Sequence, residues 1–177
     1  MRITFVASTG MKDDGYLLRA VHLALEAERV GNLPVGAVIT LDDRIIAEGA
    51  SAVLVPSFHP GRHAEVEALR AVPDALWPRR RSMTCYTTLE PCVMCLGALV
   101  LHGVGRVVFG ARDPRGGAGA MMGHLPPYYA GGMSVPALEG PAAPELCDEL
   151  YARAARRFAL VEAAGDGSHQ RNETPPN

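Results

Sequence analysis

No run of apolar residues in this chain of 177 residues is long enough to span a bilayer. The opening stretch "MRITFVASTG" carries one arginine and an apolar patch too short for the core of a signal peptide. These two absences lead us to expect a cytoplasmic protein with no membrane partner. Cysteine is scarce: Cys85, Cys92, Cys95 and Cys147 are the only four. A disulfide framework needs a small, cysteine-dense chain, so the thiols are free for other chemistry. Charge of one sign is also lacking. The formal net charge is −2, which removes any bulk electrostatic case for nucleic acid. The local basic run "WPRRRS" at 77–82 reads as a solvated loop. No internal repeat is visible, and the length fits one domain with a sizeable core.

What is there is an alternation of helical and extended patterns. Leu17, Val21, Ala24 and Leu25 recur at helical spacing after Asp13 and Asp14, which can cap a helix, and Gly31 ends the run. "PVGAVIT" at 34–40 and "RIIAEG" at 44–49 read as antiparallel strands joined by the turn "LDDR". Prolines and Gly61 argue for irregular backbone through 50–62. "HAEVEALRAV" is helical in pattern, "PDALWPRRR" is loop, and residues 83–90 form a strand. "PCVMCLGALVLHG" starts with proline, which is favoured in a first helical turn, and ends at Gly103. A strand at 106–111, a long glycine- and proline-rich loop, a weak edge strand at 134–140 and a last helix at 144–160 complete the chain. Residues 1–12 read as a loose lead-in, 13–163 as the domain and 164–177 as a polar, disordered tail. Helices covering a mixed sheet in a single α/β domain account for this order.

The stretch "TTLEPCVMCLGA" at 87–98 holds Cys92 and Cys95 as a CxxC pair. Alone, that spacing allows a redox pair, half of a structural zinc site or half of a catalytic one. His63 opens the earlier "HAE" helix as the two cysteines open theirs. One imidazole and two thiolates suit Zn²⁺ and leave the fourth tetrahedral position for water. A structural site would need a fourth ligand. Cys85 alternates within a strand and Cys147 lies on the last helix, so both read as small buried hydrophobes. Helix N-termini lower thiol pKa, which favours metal binding there. Glu65, two residues after His63, reaches the same helix end. A carboxylate placed there can take a proton from water and hand it on.

The pair "HAE" and "PCVMC" resembles the H-x-E and P-C-x-x-C signature of the zinc-dependent nucleobase deaminases. The resemblance runs from the first helix through the last. It is densest in "TLEPCVMCLGALVLHGVGRVVFGARDP", which is similar to the bacterial tRNA adenosine deaminases and the guanine deaminases. It implies a cytidine deaminase-like, three-layer α-β-α fold with a mixed five-stranded sheet and helices on both faces. It implies one Zn²⁺ per chain with a catalytic water, bound by His63, Cys92 and Cys95, and Glu65 as proton shuttle. Backbone groups near Leu89, Glu90 and Pro91 would position the ring, and Val35 and Ala37 would floor the base pocket. A homodimer is implied as well.

Two departures bear on the substrate. Ser51 stands where the relatives usually carry a base-reading asparagine. His59-Pro60-Gly61-Arg62 replaces the usual Asp-Pro-Thr-Ala before the histidine ligand. Arg62 is a candidate for an anionic group on the substrate, although an exposed loop arginine is the plainer reading. Tyr128 and Tyr129, in "LPPYYAGG", are candidates for stacking on a base or for packing beneath the loop. The expected activity is hydrolytic removal of an exocyclic amine from a nucleobase or nucleoside, purine-type favoured. The alternative is adenosine-to-inosine deamination at the tRNA wobble position. The non-enzymatic alternative is a structural zinc-binding module.

Overall fold

The computed structural model describes residues 11–129 and 135–169. Within them lie α1 (Met11–Arg29), β1 (Gly36–Leu41), β2 (Arg44–Ala50), α2 (Ala64–Ala71), β3 (Thr84–Leu89), α3 (Val93–His102), β4 (Arg106–Ala111), β5 (Ala137–Glu139) and α4 (Pro144–His169). Two 3₁₀ segments, Asp74–Ser82 and Gly119–His124, occupy stretches expected to be loop. The five strands form one sheet in the order β2-β1-β3-β4-β5. β1 is antiparallel to β2 and β3, whereas β3–β4 and β4–β5 are parallel, so the sheet is mixed as expected.

Strand alternation divides the core into two layers, because successive side chains point to opposite faces. Ala37, Ile39, Cys85 and Val107 pack with Ala64, Ala68, Leu69 and Leu99 from α2 and α3. Val38, Tyr86 and Val108 pack on the other face with Leu17, Val21, Cys147 and Leu150 from α1 and α4. Cys85 and Cys147 are therefore core residues, each fully buried. The β1–β2 hairpin turns on Asp42 and Asp43 at φ 51° and 58°, the left-handed pair that a two-residue turn requires. Gly49 lets α2 approach β2: a Cβ there would meet the Ala64 carbonyl oxygen at 2.1 Å. That contact pins the N-terminal end of α2, where His63 sits.

Element boundaries differ from the sequence expectation for identifiable reasons. α1 extends back to Met11, so Asp13 lies inside its first turn, where it takes Arg106 at 2.8 Å. Arg106 also grips Glu139 at 2.7 Å, which ties the three-residue edge strand β5 to β4. α4 continues to His169, past the point where the sequence reading begins the polar tail; residues 1–10 and 170–177 lie outside the described residues. Arg79 of the basic run pairs with Asp42 at 2.7 Å, both exposed. That run precedes β3, whereas Cys92 follows it. One strand length, about 20 Å for six residues, therefore separates the basic run from the candidate metal ligands. No helix among the described residues is long and apolar enough to cross a membrane.

Candidate metal centre and active-site cavity

Both helices that carry the chemistry begin at the same place. His63 is the N-cap of α2 and Cys92 the N-cap of α3, each with extended backbone (φ/ψ −75°/153° and −71°/175°). Neither side chain caps its own helix. Each is thus free to turn toward the space between the helix ends. His63 Nδ1 lies 3.6 Å from Cys92 Sγ and 3.4 Å from Cys95 Sγ. The three donor atoms all fall within 4.8 Å of one another.

The electrostatics are those of a site built for a cation. Hydrogen bonding from Cys95, together with His63, draws the Cys92 thiol down to about 4 against the cost of burial. Cys95 is driven upward by holding the proton beside that thiolate. His63 is raised by its hydrogen bond to Cys92. The protons shared among these groups are the ones a metal ion would displace. An imidazole nitrogen and two sulfurs at this separation fit Zn²⁺ with one position to spare.

Glu65 stands beside them. Its side chain is 3 % exposed, with Oε2 accepting from Cys95 Sγ at 3.4 Å and Oε1 from the Thr87 hydroxyl at 3.2 Å. Burial raises its pKa. A carboxylate so placed can exchange a proton with a group at the metal's free position. Thr87 escaped the sequence reading, although alternation along β3 puts it on the same face as Cys85, under α2.

The donors open into a cavity of about 440 Å³. Of the residues expected around the substrate, Val35, Ser51, Leu89 and Glu90 line it. The Ser51 hydroxyl is buried there without a hydrogen-bond partner. Ala37 does not reach the wall: it is wholly buried between β2 and β3, beneath α2. Pro91 is buried, and its carbonyl is taken by the Ala118 N–H at 2.9 Å. Arg62 turns away to hold both oxygens of Glu67, at 3.3 and 3.0 Å. Tyr128 and Tyr129 meet edge to face at 5.2 Å, and neither lines the cavity. His59 accepts from the Gly61 N–H, a local contact. One whole wall escaped the sequence reading. It comes from α4, through Tyr151, Ala154, Ala155, Phe158 and Ala159. Phe58, Asp113 and Arg115 border the cavity as well.

Residues 11–111 match the family described as the cytidine and deoxycytidylate deaminase zinc-binding region. The chain belongs to this family. The matched span contains His63, Glu65, Cys92 and Cys95 but stops short of the α4 wall. The tRNA-specific adenosine deaminase of Bacillus subtilis is 40% identical over 116 residues, covering 64% of this chain and 71% of that protein. The tRNA-specific adenosine deaminase of Haemophilus influenzae is 44% identical over 108 residues, 60% of this chain and 62% of that one. Among solved structures, one from work on A-to-I editing by tRNA:A34 deaminases superposes with a TM-score of 0.67 at 29% identity, over 77% of this chain and 99% of that chain. Guanine deaminase from Bacillus subtilis superposes with a TM-score of 0.51 at 40% identity, over 56% and 64%. The zinc-binding deaminase domain thus has the cytidine deaminase-like fold, with His63, Cys92 and Cys95 as its candidate zinc site.

Proposed function

We propose that this deaminase domain hydrolyses a C–N bond of a cyclic amidine, converting an amine-bearing nucleobase or nucleoside to its oxo product and ammonia. The observation that carries the reading is the buried Glu65 carboxylate, 3.4 Å from the sulfur of Cys95 and on the wall of a cavity. His63, Cys92 and Cys95 would hold zinc, which when bound supplies the Lewis acidity that makes water a nucleophile near neutral pH. Glu65 would take a proton from the attacking water as its oxygen adds to the ring carbon. It delivers the proton to the ring nitrogen. Glu65 then carries the proton of the new hydroxyl to the exocyclic nitrogen, so that the C–N bond breaks, ammonia leaves and the C–O bond becomes C=O while the ring nitrogen keeps its proton. Thr87 holds Glu65 in place throughout.

A small purine-type base or nucleoside is the substrate we favour. The unpaired Ser51 hydroxyl is a buried polar group waiting for a partner on a ring edge. The apolar α4 wall suits the faces of a planar ring. The commitment of Arg62 to Glu67 removes a cation from the mouth. Adenosine in tRNA is the second reading, favoured by the tRNA-specific adenosine deaminases among the relatives. The proposal includes a homodimer, and Val93, Met94 and Leu101 expose apolar surface on α3 that a second copy would cover.

The test is a panel of guanine, adenine, cytosine, their nucleosides and an anticodon stem-loop, scored for ammonia with the zinc-loaded protein. Glu65→Gln should retain zinc and lose at least roughly a hundredfold in turnover. Undiminished turnover in that variant would overturn the mechanism. Ammonia from the stem-loop alone would replace the favoured substrate by the second.

A further inference from the structure

The stretch after β4 is rich in glycine, and one buried side chain reaches into it. Glu90 is 6 % exposed and sits between β3 and the candidate ligand Cys92. Its Oε2 accepts from the Asp113 N–H at 3.2 Å and its Oε1 from the Gly119 N–H at 3.1 Å. The backbone on either side is engaged with the same segment. The Glu90 N–H donates to the Ala111 carbonyl at 2.8 Å, the Ala118 N–H donates to the Pro91 carbonyl at 2.9 Å, and Cys92 forms an antiparallel bridge with Gly117. The glycines are what admit the carboxylate. A Cβ on Gly117 would lie 2.5 Å from Glu90 Cδ, and one on Gly119 would lie 2.6 Å from Glu90 Oε1.

We propose that Glu90 is a positioning residue whose carboxylate folds the 113–119 loop into a wall of the active-site cavity and thereby sets substrate affinity. Both oxygens point into the loop, so the side chain acts through what the loop presents. The loop brings Asp113, Arg115 and Gly116 to the cavity. Asp113 is further shaped from within by accepting the Arg115 and Gly116 N–H groups at 3.0 and 2.9 Å. Tyr151 of α4 lines the same cavity, and its pKa is raised by burial first and by Asp113 second. The clamp therefore joins the metal-ligand segment to two walls of the cavity. A glutamine at 90 keeps the shape but turns an amide donor toward one of two backbone N–H donors. A buried donor left without an acceptor is costly, and the loop would swing away to find water.

The inference rests on the deaminase reading for its kinetic test and has a second readout that does not. In the zinc-loaded protein, Glu90→Gln should raise KM roughly tenfold or more with kcat kept within about threefold and zinc at one per chain. Hydrogen exchange at the Asp113 and Gly119 amides should accelerate in the same variant, with or without a substrate to assay. Gly119→Ala presses on the same clamp from the loop side and should also raise KM. In a Glu90→Ala background the closest clash is gone and only the end of the Leu138 side chain, at 3.2 Å, has to give, so the effect of Gly119→Ala should largely vanish. Unchanged amide exchange and unchanged KM in Glu90→Gln would overturn the proposal. So would additive effects in the Gly119–Glu90 cycle, or a fall in kcat without a change in KM. A panel that yields no substrate would sink the deaminase reading, while the exchange measurement would still decide the clamp.

Discussion

Replacing Thr87 by valine isolates one hydrogen bond on which the proposed proton transfer depends. Thr87 is wholly buried on β3, and its hydroxyl donates to Glu65 Oε1 at 3.2 Å. Valine occupies almost the same shape, so the substitution leaves no cavity and chiefly deletes the donor. A hydrogen bond to a charged group contributes about 1.5–3 kcal/mol, and the long distance here argues for the lower end. If that stabilisation serves to hold the carboxylate at its working position, a loss of about 1.5 kcal/mol corresponds to roughly tenfold in rate. The carboxylate also stays confined by its burial in the first turn of α2, which is why a larger loss is not expected. The assay is steady-state ammonia release on the best substrate of the panel, with zinc content measured on the same sample. The expected result is kcat down roughly tenfold, KM within about threefold and zinc unchanged. In a Glu65→Gln background the Thr87 substitution should cost little more, because the group it positions no longer accepts a proton. Wild-type turnover in Thr87→Val would refute the argument, as would an additive loss in the double variant.

Three further outcomes follow from the geometry. Stripping zinc with a chelator should expose one fast-reacting thiol at neutral pH, Cys92, whose pKa lies near 4 in the metal-free arrangement. Cys147, pushed up to about 12 by burial, and the buried Cys85 should react only after unfolding, and mass spectrometry of labelled peptides would tell them apart. Arg62→Ala should leave KM unchanged, since the guanidinium faces Glu67. It should change stability little because the pair is partly exposed. Arg62 holds the folded-state pKa of Glu67 below its unfolded value. That stability is therefore present above about pH 4.5 and lost as pH falls through the folded pKa, so wild type and variant should converge in acid melts. Ala155→Trp should fill the α4 wall and raise KM for nucleosides more than for free bases, with zinc content unaltered; equal KM values across the series would show that α4 does not face the substrate.

The parts of this molecule that were legible in its sequence are those encoded over a few residues. His63 and Glu65 share one helix start, Cys92 and Cys95 another, and the spacing within a first turn brings each pair to its helix end without reference to the rest of the chain. Strand alternation similarly assigned Cys85 to the core. Where the reading fell short, the deciding contact was distant in sequence or turned on where along an element a residue lies. Val35 and Ala37 share a face, but Val35 precedes the first residue of β1 and borders the cavity, while Ala37 is covered by α2. Arg62 follows a loop whose direction only the Glu67 contact decides. The α4 wall is separated from Glu65 by more than eighty residues and lies outside the span that matches the family, so no local pattern tied Phe158 or Ala155 to the cavity. The same separation suggests how reaction and substrate choice divide between parts of the chain. The candidate metal ligands and Glu65, the proposed proton carrier, sit on two helix starts pinned by the sheet. The surfaces that would touch the rest of the proposed substrate hang on α4 and on a loop that the Glu90 carboxylate grips at both ends. On the proposed function, substitutions in α4 or in the 113–119 loop should alter which base is accepted while the candidate zinc ligands and Glu65 remain as they are.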